Sequence, residues 1–344
     1  MDDSRKKEWL ASRKQIRDNR SADHLFTALK SGNRTALSSA ITLLESTLPT
    51  DEMEAAKLIR LCLPYSGKSI RIGITGVPGV GKSSFIESFG QTILKENKKL
   101  AVLAIDPSSE RSGGSILGDK TRMTVLSQED NVFIRPSAAG STLGGVARKT
   151  RETIILCEAA GYDVILIETV GVGQSEIMAH SMVDFFLLLL LSGAGDELQG
   201  IKRGIMEMAD GLAVTKADGD NVKRAELAAR ELKNAIHLFP PTKNGWIPEV
   251  KTCSSLEGTN VEVIWEMIDR FVRHTQLNGS FLDKRKHQDL YWMQETLKDL
   301  LLHGLFLNSE VQLQLPTMQD EVLKGNISAF EAAETIYKMY LKAK

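Results

Sequence analysis

The sequence has no apolar stretch long enough to cross a membrane. It carries seven consecutive large apolar residues, Phe185 to Leu191, whereas a membrane-spanning helix needs about 18 or more. As an extended strand the same run would be roughly 23 Å long, which is typical of a strand buried on both faces of a parallel sheet. We therefore predict such a strand and expect no membrane partner.

An excess of charge of either sign is also missing. The 344 residues include 43 basic and 44 acidic side chains. This balance argues against a partner held by bulk charge, such as a nucleic acid or a membrane surface. Apolar residues at 42% and charged residues at 25% are ordinary for a globular chain.

Cysteine is scarce. The three cysteines, Cys62, Cys157 and Cys253, are far apart, form no CxxC motif and lie in apolar segments. This pattern is typical of buried thiols in a reducing compartment. The stretch MDDSRKKEWLASRKQ has no apolar core, so we expect no secretory signal and a cytoplasmic protein.

Strand and helix patterns divide the chain into three predicted parts. Residues 1–66 show helical spacing of apolar residues, as in LSSAITLLESTL. In residues 67–278 helical segments alternate with the β-rich runs IRIGIT, LAVLAI, VFI, DVILIET, FFLLLLL, GLAVT and EVKTC. This alternation predicts an α/β fold with a mostly parallel sheet flanked by helices. Residues 279–344 form a predicted helical arm.

The arm carries an apolar stripe at helical spacing. In QDLYWMQETLKDLL, four apolar residues recur every three or four positions. Such a stripe would pack either on its own domain or in a dimer, and the sequence leaves both arrangements open. The residues of the stripe are Leu290, Met293, Leu297 and Leu301.

A glycine-rich loop follows the first predicted strand. The stretch GVPGVGKSS matches G-x-x-x-x-G-K-S/T between a strand and a helix. In this motif backbone N–H groups face phosphate oxygens, the lysine reaches the terminal phosphates and the hydroxyl binds magnesium. We therefore predict a P-loop nucleoside triphosphate site. Its binding residues are Gly76, Val77, Pro78, Gly79, Val80, Gly81, Lys82, Ser83 and Ser84.

Acidic residues follow two further predicted strands. LAIDPSS places Asp106 at one strand end, and DVILIETVGVG places Glu168 at another, in an acidic-x-x-Gly arrangement suited to magnesium and the γ-phosphate. Glu168 would hold the metal through water or orient the attacking water. The segment SSERSGGSILGDKTRM contains Asp119 and is predicted to order around the γ-phosphate. The predicted metal ligands are Ser83, Asp106, Asp119 and Glu168, and the predicted catalytic residues are Lys82, Asp119 and Glu168.

The stretch GLAVTKADGDN predicts a guanine site. It places Lys216 and Asp218 after a strand in the form T-K-x-D, with Thr215 where Asn is usual. A carboxylate there can accept hydrogens from both N1 and the exocyclic amino group of guanine, a pair that adenine does not offer. The next strand ends in VKTCSSLEG, and three of its residues are predicted beside the base: Ser254, Ser255 and Leu256.

These segments resemble the methylmalonyl-CoA mutase-associated GTPases, the ArgK/MeaB/MMAA-like family within the signal-recognition-like branch of P-loop GTPases. The resemblance covers nearly the whole chain, including AIDPSSERSGGSILGDKTRM, DVILIETVGVGQSE and SGAGDELQGIKRGIMEMADGLAVTKADGDN. It implies a homodimeric GTPase, joined through its C-terminal arm, that uses GTP and Mg²⁺. It further implies a chaperone that assembles, gates the cofactor loading of, and protects an adenosylcobalamin-dependent acyl-CoA mutase.

The resemblance also implies that the loop after the seven-residue apolar run is a switch that relays the nucleotide state to the mutase. None of these motifs supplies an obvious catalytic arginine, so we predict slow intrinsic hydrolysis that a partner accelerates. The matching switch residues are Asp196, Glu197, Gln199 and Lys202.

Two other functions remain open. A small-molecule or protein kinase would fit the older transport-kinase name of the ArgK family, although no separate acceptor domain is visible in the sequence. A metal-insertion GTPase would share the fold branch, but soft-metal sites need closely spaced cysteines or histidines. The six histidines of this chain are scattered.

Overall fold

The computed structural model describes most of the chain. The described residues are 21–105, 123–135, 143–169, 174–193, 203–240 and 242–342. They fall into two compact units, one ending at Gln288 and the other beginning at Asp289. The predicted division into residues 1–66, 67–278 and 279–344 stays a prediction.

The described part of the first unit begins with three helices, as predicted for this part of the chain. Asn33 caps the second helix, because its side chain accepts a hydrogen bond from the backbone N–H of Ala36 at 3.0 Å. Pro49 occupies the first turn of the third helix, where its missing N–H costs nothing. The three helices are α1 (Ala22–Lys30), α2 (Arg34–Glu45) and α3 (Pro49–Cys62).

The described part of the first unit contains one parallel sheet of seven strands. Its order is β3-β2-β4-β1-β5-β6-β7, and all of its strand pairs are parallel. The predicted α/β fold is therefore confirmed. The strands are β1 (Ile70–Gly76), β2 (Leu100–Ile105), β3 (Val132–Arg135), β4 (Val164–Thr169), β5 (Phe185–Leu191), β6 (Gly211–Thr215) and β7 (Glu249–Thr252).

The central strands explain where a ligand can bind. The seven-residue apolar run forms β5, and its first six residues are buried, as the sequence predicts. β1 lies between β4 and β5, with β2 and β3 on one side and β6 and β7 on the other. The connection after β1 runs to β2 on one side, whereas the connection after β4 crosses β1 to reach β5 on the other side. Open α/β sheets bind ligands at the carboxyl ends of the strands at such a point.

Six further helices lie within the described residues of the sheet region. One apolar core joins the helix after β1 and the helix after β7 to the central strands, with Phe89 edge-on to Trp265 and Phe185 edge-on to Phe271. The three cysteines are buried, as predicted. The helices are α4 (Lys82–Leu94), α5 (Leu143–Ala159), α6 (Gln174–His180), α7 (Arg203–Met208), α8 (Val222–Ile236) and α9 (Val261–Leu277).

The second unit is helical. Helix α10 (Ser280–Phe306) begins in the first unit and ends in the second, where α11 (Ser309–Leu323) and α12 (Ala329–Lys342) follow. Val311, Ile336 and Tyr340 form its buried core.

The predicted apolar stripe lies on α10 and is exposed. Leu290, Met293, Leu297 and Leu301 have 56%, 60%, 56% and 51% of their surface exposed. Among the residues that the structure describes, no helix combines the length and apolar character that a bilayer crossing requires.

Candidate nucleotide site

The loop between β1 and α4 has a backbone that requires glycine. Gly76, Gly79 and Gly81 have φ angles of +156°, +81° and +94°, in the region that side-chain-bearing residues rarely adopt. A Cβ atom on Gly76 would lie 2.6 Å from the carbonyl oxygen of Leu189. The loop therefore turns tightly over the end of β5, in the cradle shape that the sequence predicts for a phosphate site.

Lys82 begins α4 and bends back over this loop. Its Nζ donates a hydrogen bond to the carbonyl of Gly76 at 2.8 Å and lies 3.5 Å from that of Val77. Burial lowers the pKa of Lys82, and the charges of Glu168 and Glu176 oppose that effect. The ammonium group is thus held by neutral carbonyls that a phosphate oxygen can replace.

Ser83 and Glu168 meet near the carboxyl end of β1. Glu168 lies next to Ile74 in the register of β4 and β1 and is only 4% exposed. The Oγ atom of Ser83 lies 3.5 Å from the carboxylate Oε1 of Glu168. A hydroxyl and a carboxylate are hard oxygen donors of the kind that Mg²⁺ prefers, so this pair fits the predicted metal.

The remaining predicted metal ligands, Asp106 and Asp119, lie outside the described residues. Within the described ranges, no group of three or more His, Cys, Asp or Glu side chains is placed to hold a metal ion. The predicted magnesium set is therefore described only in part. Four predicted switch residues also lie outside the described residues: Asp196, Glu197, Gln199 and Lys202.

The structure brings the predicted base-binding residues together at the ends of β6 and β7. The hydroxyl of Ser254 donates to Oδ2 of Asp218 at 2.5 Å, and the backbone N–H of Glu257 donates to the same hydroxyl at 3.1 Å. Ser254 is fully buried, Ser255 is half-buried and Leu256 is 88% exposed. Asp218 is itself half-buried, and the Ser254 hydroxyl holds one of its two carboxylate oxygens.

Two side chains at the end of β6 contact the glycine-rich loop between β1 and α4, called the phosphate loop below. The hydroxyl of Thr215 donates to the carbonyl of Val80 at 2.8 Å, and Nζ of Lys216 donates to that of Gly79 at 2.9 Å. The sequence motif predicts Lys216 but assigns no contact to Thr215. The structure shows that this hydroxyl ties the end of β6 to the loop.

Sequence reasoning missed a buried carboxylate near Lys82. Glu176 in α6 is fully buried, and its charge raises the pKa of Lys82 against the effect of burial. The sequence feature that could have indicated it is the segment GVGQSE, because Glu176 follows Gly171 of the acidic-x-x-Gly stretch by only five residues. A second carboxyl group therefore lies near Lys82.

Comparisons with known proteins agree with this geometry. The family described as methylmalonyl Co-A mutase-associated GTPase MeaB matches residues 37–310. A methylmalonic aciduria type A homolog, mitochondrial, of Mus musculus is 42% identical over 334 residues, which cover 94% of this chain and 80% of the relative. GTPase ArgK of Escherichia coli is 43% identical over 282 residues, 82% of this chain and 85% of the relative.

A solved structure has a similar fold. It is described as the crystal structure of LAO/AO transport system kinase and superposes with a TM-score of 0.73 at 33% sequence identity. The similarity covers 92% of this chain and 97% of that one. The shared architecture therefore extends over nearly the whole length of both proteins.

Proposed function

The chain belongs to the methylmalonyl Co-A mutase-associated GTPase MeaB family, and we propose that it is the chaperone of an adenosylcobalamin-dependent acyl-CoA mutase. As a GTPase of this family it binds and hydrolyses GTP. In the proposed role it assembles the mutase, gates cofactor loading and protects the loaded enzyme. The observation that carries the proposal is the family match over residues 37–310.

The phosphate loop supplies the proposed electrostatic stabilisation. Lys82 exchanges the carbonyl of Gly76 for oxygens of the terminal phosphates, while backbone N–H groups of the loop face the same anion. Because the site is already folded around these groups, little reorganisation accompanies the reaction. Glu168 orients the attacking water or contacts the metal through water.

Ser83, Glu168, Asp106 and Asp119 are the proposed ligands of Mg²⁺. When bound, the ion neutralises charge that develops on the phosphate oxygens. The Ser83 hydroxyl and the Glu168 carboxylate already lie within 3.5 Å of each other. Removing Mg²⁺ with EDTA is expected to abolish hydrolysis, and unchanged turnover of GTP would contradict this assignment.

Guanine selection is proposed for Asp218, supported by Ser254. The Ser254 hydroxyl holds one carboxylate oxygen at 2.5 Å, which orients the side chain toward the N1 and amino hydrogens of the base. We expect calorimetry to show binding of GDP and GTP and much weaker binding of ADP and ATP. Asp218→Asn should shift the preference from guanine to xanthine nucleotides, because an amide can donate to the 2-oxo group of xanthine. Tighter binding of adenine nucleotides by the native chain would overturn the assignment.

The proposed partner is tested by its effect on hydrolysis. We expect slow GTP turnover by the chain alone and faster turnover with a methylmalonyl-CoA mutase, since a partner can supply a missing catalytic group worth about 10³- to 10⁵-fold. Lys82→Ala mixed with the same mutase is the control for GTPase activity that the mutase preparation brings with it. Replacing Lys202 or Asp196 by alanine should reduce the acceleration, because these are proposed switch residues. Equal rates with and without the mutase would remove the partner claim.

A homodimer through α10 is part of the proposal. The stripe of Leu290, Met293, Leu297 and Leu301 exposes more than half of each side chain, and a large exposed apolar surface is typical of a protein interface. Light scattering should give twice the chain mass for the native protein. Leu297→Glu should give the single-chain mass, with Asp299→Glu on the same helix as the control that leaves the mass doubled.

The kinase alternative is separated by following the γ-phosphate. With GTP labelled at that position, the proposed function releases the label as free phosphate. A kinase would place it on an acceptor. Label on an acceptor molecule, at a rate comparable with GTP loss, would favour the kinase.

A further inference from the structure

A hydrogen-bonded path leads from the proposed guanine segment to the end of β5. Its centre is Asn221, the last residue of the short 3₁₀ turn Gly219–Asn221 that follows Asp218. Its Nδ2 atom donates to the backbone carbonyl of Lys216 at 2.6 Å. Its Oδ1 atom accepts from the hydroxyl of Ser192 at 2.7 Å. One amide side chain thus connects two segments that are far apart in sequence.

The chemistry of the partners fixes how the Asn221 amide is oriented. A backbone carbonyl can only accept, so the NH₂ group must face Lys216. Oδ1 then faces Ser192, whose hydroxyl must be the donor. Both contacts therefore depend on a single orientation, and removal of the Ser192 hydroxyl leaves Oδ1 without this donor.

The carbonyl that Asn221 holds belongs to a residue in an uncommon conformation. Lys216 has φ +55°, a left-handed backbone that a residue with a side chain rarely adopts. From this conformation its Nζ reaches the Gly79 carbonyl at 2.9 Å, and the following N–H of Ala217 donates to the Cys253 carbonyl at 3.0 Å. The turn at Lys216 therefore determines the path of the chain into Asp218.

We infer that Asn221 is a positioning residue for guanine recognition and that Ser192 orients it. The inference rests on the proposed function, in which Asp218 binds guanine. Asn221 holds the Lys216 peptide so that Asp218 reaches both its hydrogen-bond partner Ser254 and the base. Since Ser192 directly follows β5, this arrangement also anchors base recognition to a central strand of the sheet.

Nucleotide affinities of the full chain test the inference by calorimetry. The probes are GDP, IDP, which lacks the exocyclic amino group, and inorganic tripolyphosphate, which has no base. For Asn221→Ala we expect about tenfold weaker GDP binding, which corresponds to the lost hydrogen bond to the Lys216 carbonyl, and a smaller GDP-to-IDP affinity ratio. Tripolyphosphate affinity should change much less, because that ligand contacts only the phosphate loop, which Lys216 joins through one exposed hydrogen bond to Gly79.

Variants of the two side chains separate positioning from folding. Asn221→Asp keeps an acceptor for Ser192 but cannot donate to the Lys216 carbonyl, so it should resemble Asn221→Ala. Ser192→Ala should shift GDP binding in the same direction, and Ser192→Thr should restore native affinity because it retains the hydroxyl. Asn326→Ala is the matched control: its Nδ2 contacts Glu321 in the second unit, and GDP affinity should not change.

The outcomes distinguish the inference from the proposed function. If the native chain does not prefer GDP to ADP, the proposed function fails and the inference fails with it. If the native chain and Asp218→Asn behave as expected but Asn221→Ala binds GDP like the native chain, only the inference is wrong. Equal weakening of GDP and tripolyphosphate would also overturn it, because Asn221 would then act on the phosphate loop or the fold. If Asn221→Ala does not fold, the Ser192→Ala and Ser192→Thr pair gives the same decision.

Discussion

Charged side chains cluster at both ends of the parallel strands, but their partners differ. At the amino ends, Arg71 contacts Glu158 at 3.0 Å and Arg285 contacts Asp184 at 2.7 Å, and all four residues are buried. Each of these pairs uses two guanidinium nitrogens on one carboxylate. Such bidentate pairs fix geometry as well as charge. The amino ends are therefore held together by charges that are satisfied within the chain.

At the carboxyl ends, the ammonium group of Lys82 has neutral hydrogen-bond acceptors in place of a paired carboxylate. Lys82 donates to the neutral carbonyl of Gly76, although the carboxylates of Glu168 and Glu176 are near enough to raise its pKa against burial. A phosphate oxygen offers a stronger, charge-assisted bond than a carbonyl does. The comparison shows that the buried charges at the amino ends pair with each other and stabilise the fold. At the carboxyl ends, Lys82 has, among the described residues, only carbonyl partners that a ligand can replace.

The largest effect is expected from breaking a pair at the amino ends. Arg285→Ala leaves Asp184 buried without its guanidinium and should lower the free energy of unfolding by about 3–5 kcal/mol. Denaturant unfolding measures this change. The double variant Arg285→Met, Asp184→Asn should recover part of the loss, because both buried charges are removed together while the amide oxygen of Asn can still accept from the backbone N–H of Arg71. A loss below about 1 kcal/mol in the single variant would show that the pair does not hold the strands.

At the carboxyl ends, replacing Lys82 is expected to have a smaller effect, and to change the rate of GTP hydrolysis instead of the stability. Lys82→Ala should lower kcat for GTP by about 10²- to 10³-fold, the usual result of removing one group that stabilises charge in the transition state. The free energy of unfolding should not fall, since the variant removes a cation whose burial is unfavourable. A marked loss of stability with an unchanged kcat would show that Lys82 serves the fold, as the charged pairs at the amino ends do, and not the reaction.

His180, which precedes β5, should make the stability of the protein depend on pH. Burial, and then the nearby charge of Lys284, lower the pKa of His180 to about 4, against about 6.5 in an unfolded chain. The unfolded state therefore binds more protons between these values, and stability should fall by about 1–3 kcal/mol as the pH drops from about 6.5 to 4. His180→Gln, which does not titrate, should show a shallower fall over the same range. Parallel curves for the two proteins would show that His180 does not titrate as described.

The smallest effect is expected for an exposed pair of the same type. Arg273 contacts Asp269 at 2.7 Å, one helical turn apart on α9, and its side chain is 73% exposed. Arg273→Ala should change the free energy of unfolding by less than about 0.5 kcal/mol. This variant is the surface control for Arg285→Ala, since both lose a guanidinium. A change as large as that of Arg285→Ala would mean that burial does not explain the difference.

The fold was predictable because each strand is locally apolar and the helices between them have their own spacing. The phosphate loop was predictable because its glycines, lysine and serine are adjacent in sequence. Long-range partners could not be predicted in this way: Arg285 and Asp184 are paired only because folding brings them together, and the same holds for Ser192 and Asn221.

One aromatic residue illustrates the same limit. The sequence leaves open whether Trp246 packs near the base or closes a loop. In the structure its indole N–H donates to the Asp210 carbonyl at 2.8 Å, and its ring lies against Phe271 and His274. Asp210 precedes β6, so Trp246 lies at the amino ends of the strands, away from the proposed base site. Only the pairing of strands could decide between the two positions.

The parallel order of the strands has a consequence for how the protein is made. Ile70 of β1 pairs with Val164 of β4, and every such parallel pair needs a long crossover. Contacts between distant segments form slowly, because loop closure must precede them. Asp218 meets Ser254 only at the ends of β6 and β7. On the proposed assignment of Asp218 and Ser254 to the base, a nascent chain would acquire selective guanine affinity only after Ser254 has left the ribosome. Guanine binding would then report the completed synthesis of the sheet.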